Sequence, residues 1–413
     1  MKKRSILLVI IFFISIIILS VNSNNKYLVK DESLATYIDG EKTDSFPVKG
    51  TVAFSKAECD NNTNIYWDND TWGLYATNLT EKTKCNLYFK TLENAVTKIT
   101  NLASTDTINM ASDDPNNNIR YIGADPNNYV YFNCDDYNNQ TSDTCELWRI
   151  IGVFNNIEKE DGTKENLIKI VRNDSIGQYS WDTSDSSINN GYGSNNWTDA
   201  SLMKLLNPGY DTENINNSLY FNSKNGICYI GQNNATTVCN FNKIGLKNEH
   251  TRSAIESVIW NLGGTNAYDS SATGLAKFWY GYERSKEVYG NNPSTWLGKV
   301  GLIYISDYGY ATSGGTTTTR KECLEKELYN WNSSSVDDCR NNDYLYESGY
   351  HQWSIVQRSG YSSDAFDINS AGFVRNYYRV DINLGIRPTL YLKPEINVSG
   401  GTGSDIDPYR LNL

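Results

Sequence analysis

Leu147-Trp148-Arg149-Ile150-Ile151-Gly152-Val153-Phe154 is the stretch on which the fold turns. Rich in β-branched and aromatic residues, it reads as a strand. Tyr129-Val130-Tyr131-Phe132 is its partner, and the loop between them carries Cys134 and Cys145. Leu167-Ile168-Lys169-Ile170-Val171 continues the sheet. Further out, a short helix is expected over residues 199 to 206, capped by Thr198 and stopped at Asn207-Pro208-Gly209. A second is expected from about 249 to 262, with Ala254, Ile255, Val258, Ile259 and Leu262 as its apolar stripe and Gly263-Gly264 at its end. Val300-Gly301-Leu302-Ile303-Tyr304-Ile305 and the run from Gly385 to Leu392 are further strands. Two helices, dispersed strands and long Gly-, Asn- and Ser-rich loops make the class α+β.

Three regions separate along the chain. Residues 24 to 90 hold short strands with polar turns such as Asp60-Asn61-Asn62, which reads as a small β module. Its last hairpin, from Asn78 to Cys85, resembles the end of an immunoglobulin-like or fibronectin-III-like module. Residues 91 to 118 are a helical connector and linker. Leu92, Val96, Ile99 and Leu102 form one helical face up to Ala103, and a Ser-, Thr-, Asp- and Asn-rich boundary follows. Residues 119 to 413 are the main domain. Ahead of all three, residues 1 to 23 carry Lys2, Lys3 and Arg4 and then an apolar run from Ile6 to Val21. This is a signal peptide or an N-terminal membrane anchor, and the rest of the chain lies outside the cytoplasm.

The eight cysteines suit that compartment. In sequence order they pair as Cys59 with Cys85, Cys134 with Cys145, Cys228 with Cys239, and Cys323 with Cys339. An even count in an exported chain reads as a disulfide framework, and each closure is worth on the order of 3 kcal/mol in the chain-entropy model. There is no Cys-x-x-Cys and there are only two histidines, His250 and His351, so zinc, haem and redox motifs lack their spacing. The net charge of −11 argues against a nucleic-acid partner. The 30 Tyr and 10 Trp, against 3 Met, favour a sheet-rich exposed protein over a helical bundle.

Four segments carry a family resemblance. They are Leu147 to Val153; Tyr179-Ser180-Trp181-Asp182 with Asn196-Trp197 and the run from Leu202 to Asn207; Gly301 to Tyr304 with Ser306 to Ala311; and Gly385-Ile386-Arg387-Pro388-Thr389-Leu390-Tyr391-Leu392. Together they resemble an uncharacterised domain family of surface proteins in Gram-positive and mycoplasma-like gut bacteria. That family is similar in layout to the C-type-lectin-like fold of formylglycine-generating enzymes and diversified binding proteins. The resemblance implies a loop-built binding face on a rigid core. It implies no copper site, because the cysteines pair as disulfides.

Two clusters mix aromatic and charged residues as such a face requires. One is Trp279, Tyr280, Tyr282, Glu283 and Arg284, in a loop or strand edge; the other is Arg375, Asn376, Tyr377, Tyr378 and Arg379. Tyrosine or tryptophan stacks on a sugar or aromatic group while arginine and glutamate direct hydrogen bonds. The competing account is half-buried framework for the tyrosines, a capped turn for Asp307 and a buried-carbonyl partner for Arg387. Neither histidine sits in a nucleophile motif, and Glu249, Glu256 and Glu283 have no context marking a catalytic pair. Asp405 and Asp407 after Gly400-Gly401-Thr402-Gly403 raise calcium as a weaker reading, and a Gly-Asp turn explains the same letters. The expectation is a secreted or membrane-anchored, adhesin-like recognition protein. It binds a glycan or protein at the cell surface without catalysis or cofactor and meets the membrane only through its N-terminal segment. The alternative is a secreted hydrolase of envelope or host polysaccharide.

Overall fold

The computed structural model describes residues 34–60, 62–68, 71–77, 83–183, 191–210, 215–231, 233–375 and 378–413. The expected leader, residues 1–23, lies outside them, as do Asn376 and Tyr377. The chain divides into two units, Met1–Leu92 and Glu93–Leu413. Among the described residues no helix is long and apolar enough to cross a membrane.

The smaller unit is all β where described. Its sheet runs Glu41–Thr43, Leu34–Ile38, Cys85–Thr91, Val52–Cys59, with the Leu34–Ile38 and Cys85–Thr91 pair parallel and the others antiparallel. A separate hairpin joins Asn64–Asp68 to Gly73–Thr77. Val52, Trp67, Leu87 and Phe89 form the buried centre. Trp67 meets Trp72 and Phe89 edge-on, each at 5.0 Å. Cys59 and Cys85 face each other across adjacent strands, so their bridge clamps the sheet where so small a core holds it least.

The larger unit is α+β and mostly sheet. Its main sheet is antiparallel in the order Val300–Gly301, Thr389–Tyr391, Lys164–Arg172, Glu146–Glu158, Ile119–Tyr121, Met110–Ala111, with Tyr129–Phe132 also paired to Glu146–Glu158. Trp148 to Phe154 are buried on both faces, which places the opening stretch at the centre of the sheet. A Cβ on Gly152 would lie 1.9 Å from the Ile119 carbonyl oxygen, so only glycine lets the neighbouring strand approach there. A second sheet runs Gln178–Ser180, Asn383–Gly385, Gln352–Gln357, Ala365–Ile368, Val374–Arg375. All six residues of Gln352–Gln357 are buried.

Several expected elements differ in the structure. The helix expected over 249–262 stops at Ser253, and Val258–Asn261 instead forms a strand against Thr295–Gly298, with Trp260 opposite Trp296. Val258, Ile259 and Trp260 alternate buried and half-buried, so the same apolar letters satisfy a strand's period as well as a helix's. The helix expected from residue 91 to Ala103 spans Ala95–Ala103. Asn94 caps the Ala95–Ala103 helix through Thr97 N–H, and its amide also donates to the Pro394 carbonyl at 2.7 Å. Glu93–Asn94 pairs with Asn397–Gly400, so residues 93 onward belong to the larger unit. The helix at 201–206 takes its N-terminal partner from a distance: Asp182 Oδ1, not Thr198, accepts the Ser201 N–H at 2.9 Å. The strand expected over 300–305 ends at Gly301, and Ile305–Ala311 forms a helix in which Asp307 closes a capping box on the Tyr304 N–H.

All four disulfides join sequence neighbours. Cys134–Cys145 closes the loop between the Tyr129–Phe132 and Glu146–Glu158 strands, and Cys228–Cys239 bridges the Asn225–Cys228 and Thr237–Asn240 hairpin. Cys323–Cys339 ties the Arg320–Leu324 and Asp337–Asn341 helices. No cysteine is free, and four bridges fit an extracellular, oxidising environment.

Candidate ligand-binding face

The edge of the second sheet brings one of the two expected clusters together with groups far away in sequence. Strand register sets Asp367 between Trp353 on one side and Arg375 on the other, and His351 immediately precedes the Gln352–Gln357 strand. His351 Nδ1–H donates to Asp367 Oδ2 at 3.1 Å. Arg375 Nε lies 3.8 Å from Asp367 Oδ1, and Asn369 Nδ2 is 3.3 Å from the His351 nitrogen. Asp367 is fully buried. Burial pushes its carboxyl up, against the His351 hydrogen bond and the Arg375 charge. The buried carboxylate thereby orients the imidazole, while a quarter of the histidine side chain stays open to solvent.

Around this pair the arginines lie over aromatic rings. The Arg375 guanidinium is 4.4 Å from the Tyr378 ring, whose edge meets His351 at 5.2 Å. Arg379 lies 3.8 Å over Tyr192 and donates to Asp381 through Nε and Nη2, at 3.1 and 3.2 Å. A backbone bridge from Arg379 to Asp364 leads to Arg358, which pairs with Asp364 and lies 3.7 Å over Tyr361. Tyr361 is 51% exposed and Tyr192 37%, so these rings present area to solvent while their arginines are held in place. Tyr377 lies outside the described residues.

The other expected cluster occupies a helix, Ala276–Glu283, where a loop or strand edge was expected. Trp279, Tyr280 and Glu283 face inward. Trp279 packs edge-on to Phe366 at 4.7 Å, and the Tyr280 hydroxyl accepts from Asn118 Nδ2 at 3.0 Å. Tyr282 is half-buried against Trp279, and Arg284 stacks on Tyr280 at 3.4 Å. Glu283 accepts the Ser306 N–H at 2.7 Å, the Ser306 hydroxyl at 2.5 Å and Arg284 Nη1 at 3.1 Å. Burial pushes its carboxyl up to about 7, with Arg284 and Ser306 opposing.

Behind that helix lies a second ionic group, also interior. Asp307 accepts Lys169 Nζ at 2.5 Å on one oxygen and Arg120 Nη1 at 2.9 Å on the other, and Arg120 Nε continues to Asp114 at 2.7 Å. Arg387 donates to the Arg172 carbonyl at 2.9 Å, as a buried-carbonyl partner should. Asp407 pairs with Arg410 at 3.0 Å and Asp405 takes the Ile406 N–H, a turn rather than a gathered donor set. Among the described residues no three His, Cys, Asp or Glu side chains are grouped to hold a metal ion.

The His351–Asp367 pair, Tyr192 and the Arg358–Tyr361 stack were not expected. Each depends on contacts between residues distant in sequence, and no local pattern marks them. The one usable signal was the apolar run Trp353-Ser354-Ile355-Val356, a buried strand that places His351 at a sheet end. No family model, no curated protein and no solved structure matches this chain.

Proposed function

We propose that the chain is an extracellular recognition protein that binds a glycan or protein ligand through the His351–Arg375–Tyr378–Arg379 face. The observation that carries this reading is the row of arginine–tyrosine stacks, Arg375 with Tyr378, Arg379 with Tyr192 and Arg358 with Tyr361, on one open edge. Stacked guanidinium groups are already oriented, so they bind carboxylate or hydroxyl groups at a small entropic cost, and the exposed rings offer flat apolar area. In this reading the larger unit is a C-type-lectin-like domain and a member of the surface-protein family that its motifs resemble. The smaller unit is an immunoglobulin-like or fibronectin-III-like spacer, and the leader is cleaved or retained as an anchor.

The test is a glycan and protein array probed with the full chain, followed by titration of Arg375→Ala and Tyr378→Ala on any hit. A tenfold or greater loss of affinity, about 1.4 kcal/mol, with unchanged melting supports the face. Unchanged binding in both variants places the ligand elsewhere. The second reading, a polysaccharide hydrolase, draws on the buried Asp367 that orients His351, a pairing suited to proton transfer. Product release from an unlabelled polysaccharide, abolished by His351→Ala, would select it over binding alone.

A further inference from the structure

The Lys169–Asp307 contact has an arrangement that exceeds what an ion pair needs. Lys169 comes from the Lys164–Arg172 strand and Asp307 from the first turn of the Ile305–Ala311 helix, and both side chains are wholly buried. The amine nitrogen lies 2.5 Å from Asp307 Oδ2, and Asp307 is its one hydrogen-bond acceptor among the described residues. Its remaining N–H bonds face aromatic rings: Tyr304 at 4.2 Å, Phe154 and Trp260 at 5.3 Å and Tyr391 at 5.5 Å. The other carboxyl oxygen, Oδ1, is held by Arg120 Nη1 at 2.9 Å, and Asp114 fixes Arg120 from behind. The Tyr304 N–H reaches Oδ2 at 2.9 Å.

We propose that Lys169 Nζ and the Asp307 side-chain carbonyl carbon become joined by an intramolecular amide bond, a covalent cross-link between sheet and helix. One ammonium proton passes to Oδ2, freeing the nitrogen lone pair to attack the carboxyl carbon. Arg120 stabilises the negative charge that grows on Oδ1, as an oxyanion site does. The bond from the carbon to Oδ2 then breaks. Oδ2 departs with a second nitrogen proton as one water molecule, and Oδ1 remains as the amide carbonyl. The step is a condensation and needs no oxidant, reductant or co-substrate.

Three features favour it. Fixed contact replaces a bimolecular encounter, and effective molarities for well-oriented groups reach about 10⁵ M or more. Burial lowers the Lys169 amine to about 8, which offsets part of the cost of passing its proton to an Asp307 carboxyl that Lys169 and Arg120 hold below its ordinary value. The buried ionic group also stays balanced, because the reaction removes one cation and one anion. Arg120 keeps Asp114, and Arg284 keeps Glu283. Two desolvated charges, which are expensive to keep, disappear from an aromatic interior.

Peptide mass mapping of the reduced, denatured full chain decides the matter. Trypsin does not cut at an acylated lysine, so the linked form yields residues 165–172 joined to residues 300–320, lighter than the two free peptides together by one water. Lys169→Met should abolish that species. If Lys169→Met does not fold, the wild-type digest still answers. Recovery of free peptides cut after Lys169, with residues 300–320 at full mass, overturns the proposal. So does a water loss that maps to any other pair.

Discussion

Glu283 is fully buried against Ser306 and Arg284, and burial pushes its carboxyl up to about 7 from an ordinary 4.5. An acid whose folded value is raised loses stability as pH increases. Below about 4.5 both states are protonated and nothing is lost, whereas above about 7 the folded state carries the full cost of a buried charge. The loss across that window is on the order of 3 kcal/mol at 1.36 kcal/mol per pH unit. Denaturant melts of wild type and Glu283→Gln from pH 4.5 to 8 should therefore diverge, the wild type losing stability faster. Parallel curves would show that Arg284 keeps the charge at no cost. His351→Ala should leave Asp367 buried without its hydrogen-bond donor, which costs about 1–3 kcal/mol in a thermal melt. At this scale the sequence was a mixed guide. Arg375, Tyr378 and Arg379 do gather on one half-open face, because three residues so close in the chain stay together whatever the fold. Trp279 and Glu283 offer the same letters, yet a helix turns them inward. Burial is decided by what packs on an element, and neighbouring residues in the chain do not report it.

The element that tolerates least change is the Glu146–Glu158 strand. Gly152→Ala would drive a methyl into the Ile119 carbonyl, and neither strand can yield while both are paired. A loss of about 3 kcal/mol is expected, at the upper end for an overpacked core. Unchanged melting would mean that the Ile119–Tyr121 strand detaches cheaply. The strand itself was legible, since its apolar run is continuous and both its faces are buried. Val258–Asn261 was not, because one apolar stripe fits two periods over so short a run. Gln352–Gln357 and Ala365–Ile368 were missed for a related reason: Gln, Ser and Asp interrupt their apolar letters. In the fold some of those polar groups bond to the backbone, as where the Ser354 hydroxyl donates to the Phe366 carbonyl at 2.7 Å and Gln352 Nε2 to the Leu345 carbonyl at 2.6 Å.

At the scale of the molecule, the core cluster of the smaller unit holds four buried residues among those described, with one bridge, whereas the larger unit has an extended aromatic core and three bridges. Removing Cys59–Cys85 by a double change to serine should lower the stability of the smaller unit by about 3 kcal/mol. Limited proteolysis should then cut within residues 34–92 first, and resistance there would show that its aromatic cluster suffices. Bridge pairing was readable from cysteine spacing, and the four bridges fit the extracellular compartment expected. The division after Leu92 was not readable, since the polar run after Ala103 looks like a linker, yet Met110–Ala111 pairs with the Ile119–Tyr121 strand of the main sheet and Asp113 pairs with Arg320. The bridges join cysteines only 11 to 26 positions apart. A chain threaded out of the cell N-terminus first would present both members of each pair before the next pair emerged. Oxidation can then keep pace with delivery, in order, with no wrong partner yet available and no later reshuffling required.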